Sequence, residues 1–254
     1  MNKVELNIDK LDYSSSEAYK SLRTNLKFCG DDKRVIALTS CMANEGKSSV
    51  ALNLAVSLAE AGEKVVLVDA DLRNSVLMAR AKVTEEVKGL THYLSRQAAL
   101  VDIVCTTNIP QLHVAFAGPV PPNPAELLGS KLFQSMIDAL RKVYTYVIVD
   151  TPPLGMVIDP AIIAECCDGI AIVLESGADS YRLVQSVKEQ LDKTNCPILG
   201  VILNKVDQNQ GGYGYGRYGS YGRYGRYGRY GRYGQYGQYG QYGRAAEIEN
   251  KTTK

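Results

Sequence analysis

The segment Ser40-Cys41-Met42-Ala43-Asn44-Glu45-Gly46-Lys47-Ser48-Ser49 fits the spacing G-x-x-x-x-G-K-[ST], except that Cys41 stands where the first glycine would be. Its second half carries the chemistry of phosphate binding. Gly46 lets the backbone approach an anion, and the helix start that follows offers unpaired N–H groups with partial positive charge. Lys47 can reach the β- and γ-phosphates of a nucleotide, and the Ser48 hydroxyl suits Mg²⁺. Residues Ala43, Asn44, Glu45, Gly46, Lys47, Ser48 and Ser49 are therefore the candidate nucleotide cradle, with Ser49 a spare hydroxyl suited to capping. Two further stretches add carboxylates: Asp69-Ala70-Asp71-Leu72-Arg73 after one apolar run, and Asp150-Thr151-Pro152-Pro153 after another. Carboxylates brought together repel unless a cation neutralises them, and oxygen ligands favour Mg²⁺. Ser48, Asp69 and Asp150 are the candidate metal ligands, and Asp150 fits a Walker B acid. Lys47, Asp69, Asp71 and Asp150 are the candidate catalytic set. Arg73 suits either a γ-phosphate contact or a structural ion pair. A plain strand-turn-helix connection would explain Gly-Lys-Ser alone, but not three acidic positions at strand ends.

The elements that must position these groups read as an α/β fold. Apolar runs at 35–39, 65–68, 146–149, 170–174 and 198–203 are continuous rather than alternating, as in strands covered on both faces. Helical patterns at 48–61, 125–143 and 181–194 lie between them, which predicts a mostly parallel sheet with crossover helices on both faces. The carboxyl ends of such strands share one edge, where ligands bind. A helical lead-in is predicted over 14–28, opened by the capping box Ser14-x-x-Glu17 and docked through Ala18, Leu22 and Leu26. Gly118-Pro119-Val120-Pro121-Pro122-Asn123-Pro124 must be an ordered turn or surface loop.

The 254 residues divide into an N-terminal segment 1–30, a core 31–207 and a tail 208–254. The formal charge of +2 is too small to indicate a nucleic-acid partner. The six cysteines include no C-x-x-C pair and have no histidine at metal-ligand spacing, so reduced thiols without a zinc site are expected. Helix N-termini favour thiolate at Cys41, and a bound phosphate opposes it. No signal peptide, lipidation motif or membrane-spanning run is present, so a cytoplasmic chain is expected. In the tail, tyrosine recurs every third residue from Tyr215 to Tyr242, and Arg217, Arg223, Arg226, Arg229 and Arg232 intervene without an acid. Such a segment lacks the apolar surface to offset its ordering entropy and is expected to be disordered. It reads as an array of phosphate acceptors, as a nucleic-acid or condensation tail, or as a plain flexible extension.

The set Cys41 to Ser48, Val68 to Arg73 and Val149 to Pro153 resembles the Walker A, A′ and B motifs of the bacterial tyrosine kinases of capsule and exopolysaccharide synthesis. Glu17-Ala18-Tyr19-Lys20-Ser21-Leu22-Arg23 is similar to that family's oligomerisation motif, so Glu17 and Arg23 are candidate oligomer contacts; Lys20 departs where arginine is frequent. The resemblance implies a P-loop NTPase fold and an ATP- and Mg²⁺-dependent protein-tyrosine kinase that autophosphorylates its tail in trans. The acceptors would be Tyr213, Tyr215, Tyr218, Tyr221, Tyr224, Tyr227, Tyr230, Tyr233, Tyr236, Tyr239 and Tyr242. It also implies a ring-like, tail-exchanging homo-oligomer, a membrane-embedded copolymerase or activator that recruits the chain to the inner face of the plasma membrane, a phosphotyrosine phosphatase, and no nucleic acid. Asn204 resembles an adenine-contacting Asn of related ATPases. The rival in the same superfamily is a MinD/ParA-like positioning ATPase, which usually carries lysine where this chain has Met42.

Overall fold

The computed structural model describes residues 2–206; the tail and its candidate acceptors lie outside the described residues. In chain order the elements are α1 (Tyr13–Phe28), β1 (Val35–Ser40), α2 (Lys47–Glu60), β2 (Val65–Asp69), α3 (Leu77–Arg80), α4 (Leu90–Leu94), α5 (Leu100–Ile103), β3 (Val104–Thr106), β4 (Leu112–Ala115), α6 (Pro124–Leu128), α7 (Lys131–Val143), β5 (Tyr146–Asp150), α8 (Asp159–Ala164), β6 (Gly169–Glu175), α9 (Tyr181–Leu191) and β7 (Ile198–Asn204). The strands form one sheet in the order β3-β4-β2-β5-β1-β6-β7, parallel except for the β3–β4 pair.

Period-2 alternation divides each central strand between two cores. Val35, Ala37, Val66, Val68, Val147 and Val149 face the layer that contains α7, through Phe133, Met136, Ile137 and Leu140. Ile36, Leu38, Val65, Leu67 and Ile148 face the opposite layer, where α2 packs Val50, Leu54 and Leu58 and α1 contributes Leu26. Both faces are covered, so all six residues of β1 are buried, as continuous apolar runs require.

The structure changes several local expectations. Helix α1 starts at Tyr13, and its cap is Asp12, which accepts from the Ser15 amide at 2.7 Å; the Ser14-x-x-Glu17 box does not cap it. Its inner stripe is Tyr19, Leu22 and Leu26, because Ala18 lies on the exposed side. Residues ahead of α1 are extended, with Val4 and Leu6 buried and the Val4 amide donating to Thr106 O at 2.9 Å. The expected helix over 125–143 is two helices, because Gly129 and Ser130 interrupt it and the Ser130 hydroxyl caps α7 by accepting from Phe133 N. The proline-rich segment is a loop up to Asn123, and Pro124 opens α6. All six cysteines are free thiols. Among the described residues, no helix is long and apolar enough to cross a membrane.

Candidate active site

Register places the site's acids. Strands β2 and β5 pair Val65 to Asp69 with Tyr146 to Asp150, so Asp69 and Asp150 end adjacent strands side by side. Strand β1 pairs Leu38 with Asp150, and from there the chain turns through residues 41–46 into α2. Gly46 caps α2 with φ of +87°, a conformation that L side chains avoid; a Cβ there would also run into the Asn204 amide. Asn204, at the end of β7, donates from Nδ2 to Glu45 O at 2.9 Å, and Lys205 donates to Asn44 O at 2.7 Å. The C-terminal end of β7 thus braces the outer wall of the loop.

Lys47 is 6% exposed and crosses to the acids, where its Nζ lies 2.5 Å from Asp150 Oδ1 and 3.3 Å from Ser48 Oγ. Asp69 is fully buried, and its carboxyl is pushed up to about 7 by desolvation first and by the Asp150 charge second. Its Oδ2 accepts from Ser75 Oγ at 2.5 Å, and its Oδ1 accepts from the Asp71 amide at 3.3 Å. Burial raises Asp71 as well, against the opposing charge of Lys47. Asp71 Oδ1 accepts from the amides of Asn74 at 2.9 Å and Arg73 at 3.3 Å, which fixes the turn after β2. Lys47, Ser48, Asp69, Asp71 and Asp150 therefore meet at one sheet edge, as the strand-end pattern anticipates.

Other candidates are engaged elsewhere. Arg73 forms a two-pronged pair with Asp159, Nε to Oδ2 at 2.7 Å and Nη2 to Oδ1 at 2.8 Å, and Asp159 is fully buried at the start of α8. The structure shows the ion-pair alternative for Arg73. The Ser49 hydroxyl caps nothing; it accepts from Arg80 Nη1 at 2.7 Å, tying α2 to α3. Glu45 uses one carboxylate oxygen within the loop, accepting from the Cys41 amide at 2.9 Å. Cys41 is fully buried, and desolvation with the Glu45 charge pushes its thiol up to about 12, so the helix start does not make it a thiolate. Arg23 donates to Ser57 O at 2.6 Å within the chain, and Glu17 pairs with Lys20 at 2.7 Å.

Ser75 and Asp159 stand outside the motifs that the sequence displays. Only Asp159 carries a local signal, an acid one residue before Pro160 at a helix start.

Residues 36–213 match the CobQ/CobB/MinD/ParA nucleotide binding domain family. Tyrosine-protein kinase CpsD of Streptococcus agalactiae is 46% identical over 200 residues, covering 79% of this chain and 87% of that protein. The crystal structure of the chimerical protein CapA2B2 aligns at a TM-score of 0.72 with 31% identity, covering 81% of this chain and 94% of that one. The septum site-determining protein MinD of Pyrococcus horikoshii, complexed with Mg-ADP, aligns at 0.59 with 25% identity, covering 67% and 69%. Its lower likeness reflects the fold shared across the superfamily. On its phosphate loop, its acidic strand ends and these relationships, the chain belongs to the P-loop bacterial tyrosine kinases of capsule and exopolysaccharide biosynthesis.

Proposed function

We propose that the chain is an ATP-dependent protein-tyrosine kinase that transfers the γ-phosphoryl group of ATP to the tyrosines of its own tail, residues 213–242, in trans between subunits. The observation that carries this reading is the meeting of Lys47 with Asp150 at 2.5 Å beside the buried Asp69, at the mouth of a phosphate loop. Two adjacent buried carboxylates with one lysine between them are short of positive charge, as the raised Asp69 shows, so the donor set fits Mg²⁺. Ser48, Asp69 and Asp150 would hold it. Bound there, the ion would supply positive charge to offset that of the transferring phosphoryl group.

Phosphoryl transfer asks the protein chiefly for position and electrostatics. The loop amides from Ala43 to Ser48 cradle the β-phosphate, and Lys47 moves its ammonium from Asp150 to the γ-phosphate. Asp71 spends Oδ1 on two amides, which leaves Oδ2 to orient the incoming phenol. The phenol oxygen bonds to the γ-phosphorus as the bond to the β-bridging oxygen breaks, ADP leaves, and the phenol proton passes to Asp71 and on to water. A phenol pKa near ~10 against a carboxylate near ~4 means that this proton moves late. Asn204 supports the cradle through Glu45 O.

The domain division is read in the same terms: an N-terminal assembly segment, a kinase core, and an acceptor tail. Tyr13 and Phe28, at the two ends of α1, are 83% and 81% exposed, which supports α1 as the contact through which a homo-oligomer forms. A membrane-embedded copolymerase would recruit and activate the chain at the inner face of the membrane, and a phosphotyrosine phosphatase would reset it. The test is to incubate the purified chain with labelled ATP and Mg²⁺, with and without an activator fragment, and to map phosphate by mass spectrometry. Phosphotyrosine confined to 213–242 and absent in Lys47→Met supports the reading; ATP hydrolysis without phosphotyrosine would instead favour a positioning ATPase.

A further inference from the structure

Cys41, Glu45 and Asp179 form a second constellation, made of residues other than Lys47 and the three catalytic aspartates. Cys41 Sγ and one carboxylate oxygen from each of Glu45 and Asp179 lie within 4.8 Å of one another. Cys41 and Glu45 come from the loop after β1, and Asp179 comes from the turn between β6 and α9. The local spacing of cysteines holds no metal signature because the third ligand arrives through the fold.

Glu45 is 3% exposed and its Oε1 meets no N–H or hydroxyl donor; its carboxyl lies against Asp179, and burial first and the carboxyl–carboxyl hydrogen bond second push it up to about 7. Asp179 Oδ2 is likewise buried and meets no such donor. The other Glu45 oxygen is held by the Cys41 amide, so the side chain is fixed with its Oε1 in the cluster. Among the described residues neither carboxylate joins an ion pair; the nearby Lys205 is taken by Glu175 and Asn44 O. Two facing carboxylates beside a thiol are costly to bury as anions. The groups require a cation or a shared proton, and the thiol favours a soft or borderline cation over Mg²⁺.

We propose that Cys41, Glu45 and Asp179 bind a divalent transition metal of the zinc class, as a three-ligand S,O,O site completed by water. Ligand atoms around tetrahedral zinc lie roughly 3.3–3.7 Å apart, so groups that lie within 4.8 Å of one another need close by up to about 1.5 Å. The thiol proton leaves to solvent on binding, and the metal compensates the thiolate that burial otherwise forbids. Asp179 is only partly buried and is followed by the exposed start of α9, so the ion reaches the cluster from that side. Bound metal ties the first half of the phosphate loop to the β6–α9 turn and fixes the loop, giving transition-metal availability a direct grip on the nucleotide cradle.

The test uses full-length reduced protein, stripped of metal by a chelator and titrated with Co²⁺ in the absence of Mg²⁺ and nucleotide. The expected result is a thiolate-to-cobalt charge-transfer band that saturates at one equivalent and is bleached by one equivalent of Zn²⁺. Cys41→Ser should abolish the band. Asp179→Asn should weaken binding by at least about 10-fold, the lower end of the loss that outer-sphere partners produce. The Asp69–Asp150 site offers only oxygen and cannot give this band, so the kinase reading stands or falls separately. Absence of a saturable band, or an unchanged midpoint in Asp179→Asn, overturns the proposal and assigns the gap to a proton shared by the two carboxylates. If Cys41→Ser fails to fold, the wild-type stoichiometry and Asp179→Asn decide the matter.

Discussion

Asp69 and Asp150 are register partners at the last position of β2 and β5, so the two carboxylates that end these strands are neighbours by the geometry of the sheet itself. Strands in a parallel ladder sit about 4.8 Å apart, a spacing that suits two groups sharing one cation. Lys47 reaches across from the first position of α2 to pair with Asp150, so the lysine, the metal ligands and the phosphate cradle are positioned by three neighbouring strands.

Lys47→Met removes the ammonium that pairs with Asp150 and should lower the rate of tail phosphorylation at least about 100-fold, the scale for losing a preorganised charge contact in the transition state. It also leaves Asp150 buried without its partner. A filter assay with labelled ATP measures the first effect and thermal unfolding the second.

Asp69 is raised to about 7 in the folded chain, above the ordinary carboxylate value of an unfolded one, so the folded state binds the proton more tightly. The stability this contributes is full below about pH 4 and is lost as pH rises through about 7. In the presence of EDTA, melting should therefore fall by roughly 5 °C between pH 5 and 8, and Asp69→Asn should flatten the slope. Mg²⁺ with ADP should recover the loss at pH 8 by neutralising the carboxylate that has given up its proton. Scanning calorimetry across that pH range checks all three.

Arg73→Ala leaves the fully buried Asp159 without its two-pronged partner and should cost about 2–3 kcal/mol of stability, discounted for the partial exposure of the arginine. The KM for ATP should change little. Denaturant unfolding and initial-rate kinetics separate the two effects; an unchanged midpoint with a raised KM would restore Arg73 as a phosphate ligand.

Asn204→Ala should weaken ATP and GTP binding alike, because the side chain braces Glu45 O. A loss confined to ATP, read by calorimetric titration with both nucleotides, would make it an adenine contact. Gly46→Ala should abolish binding of both, since the added Cβ meets Asn204 and the φ of +87° is strained for alanine.

Much of this site is legible in the sequence because its acids follow directly on buried apolar runs, and such a run already says which edge its last residue occupies. Asp69 and Asp150 could be placed in that way. Strands β3 and β4 could not, since Val104–Thr106 and Leu112–Ala115 are only three and four residues long and His113 interrupts the second. The break between α6 and α7 was hidden by a helical pattern that runs across Gly129. The partners of Arg73 and Glu45 were out of reach for a different reason. Asp159 and Asp179 reach them through the packing of distant segments, which no local spacing encodes.

The central claim is transfer from this site to a neighbour's tail. A Lys47→Met chain with its tail intact should be mixed with a chain whose site is intact but whose eleven tail tyrosines, 213–242, are phenylalanine, and the mixture given Mg²⁺ and labelled ATP. The account predicts label on the tail tyrosines of the Lys47→Met chain and none on either protein alone. An unlabelled mixture, with the wild-type chain active under the same conditions, would contradict it.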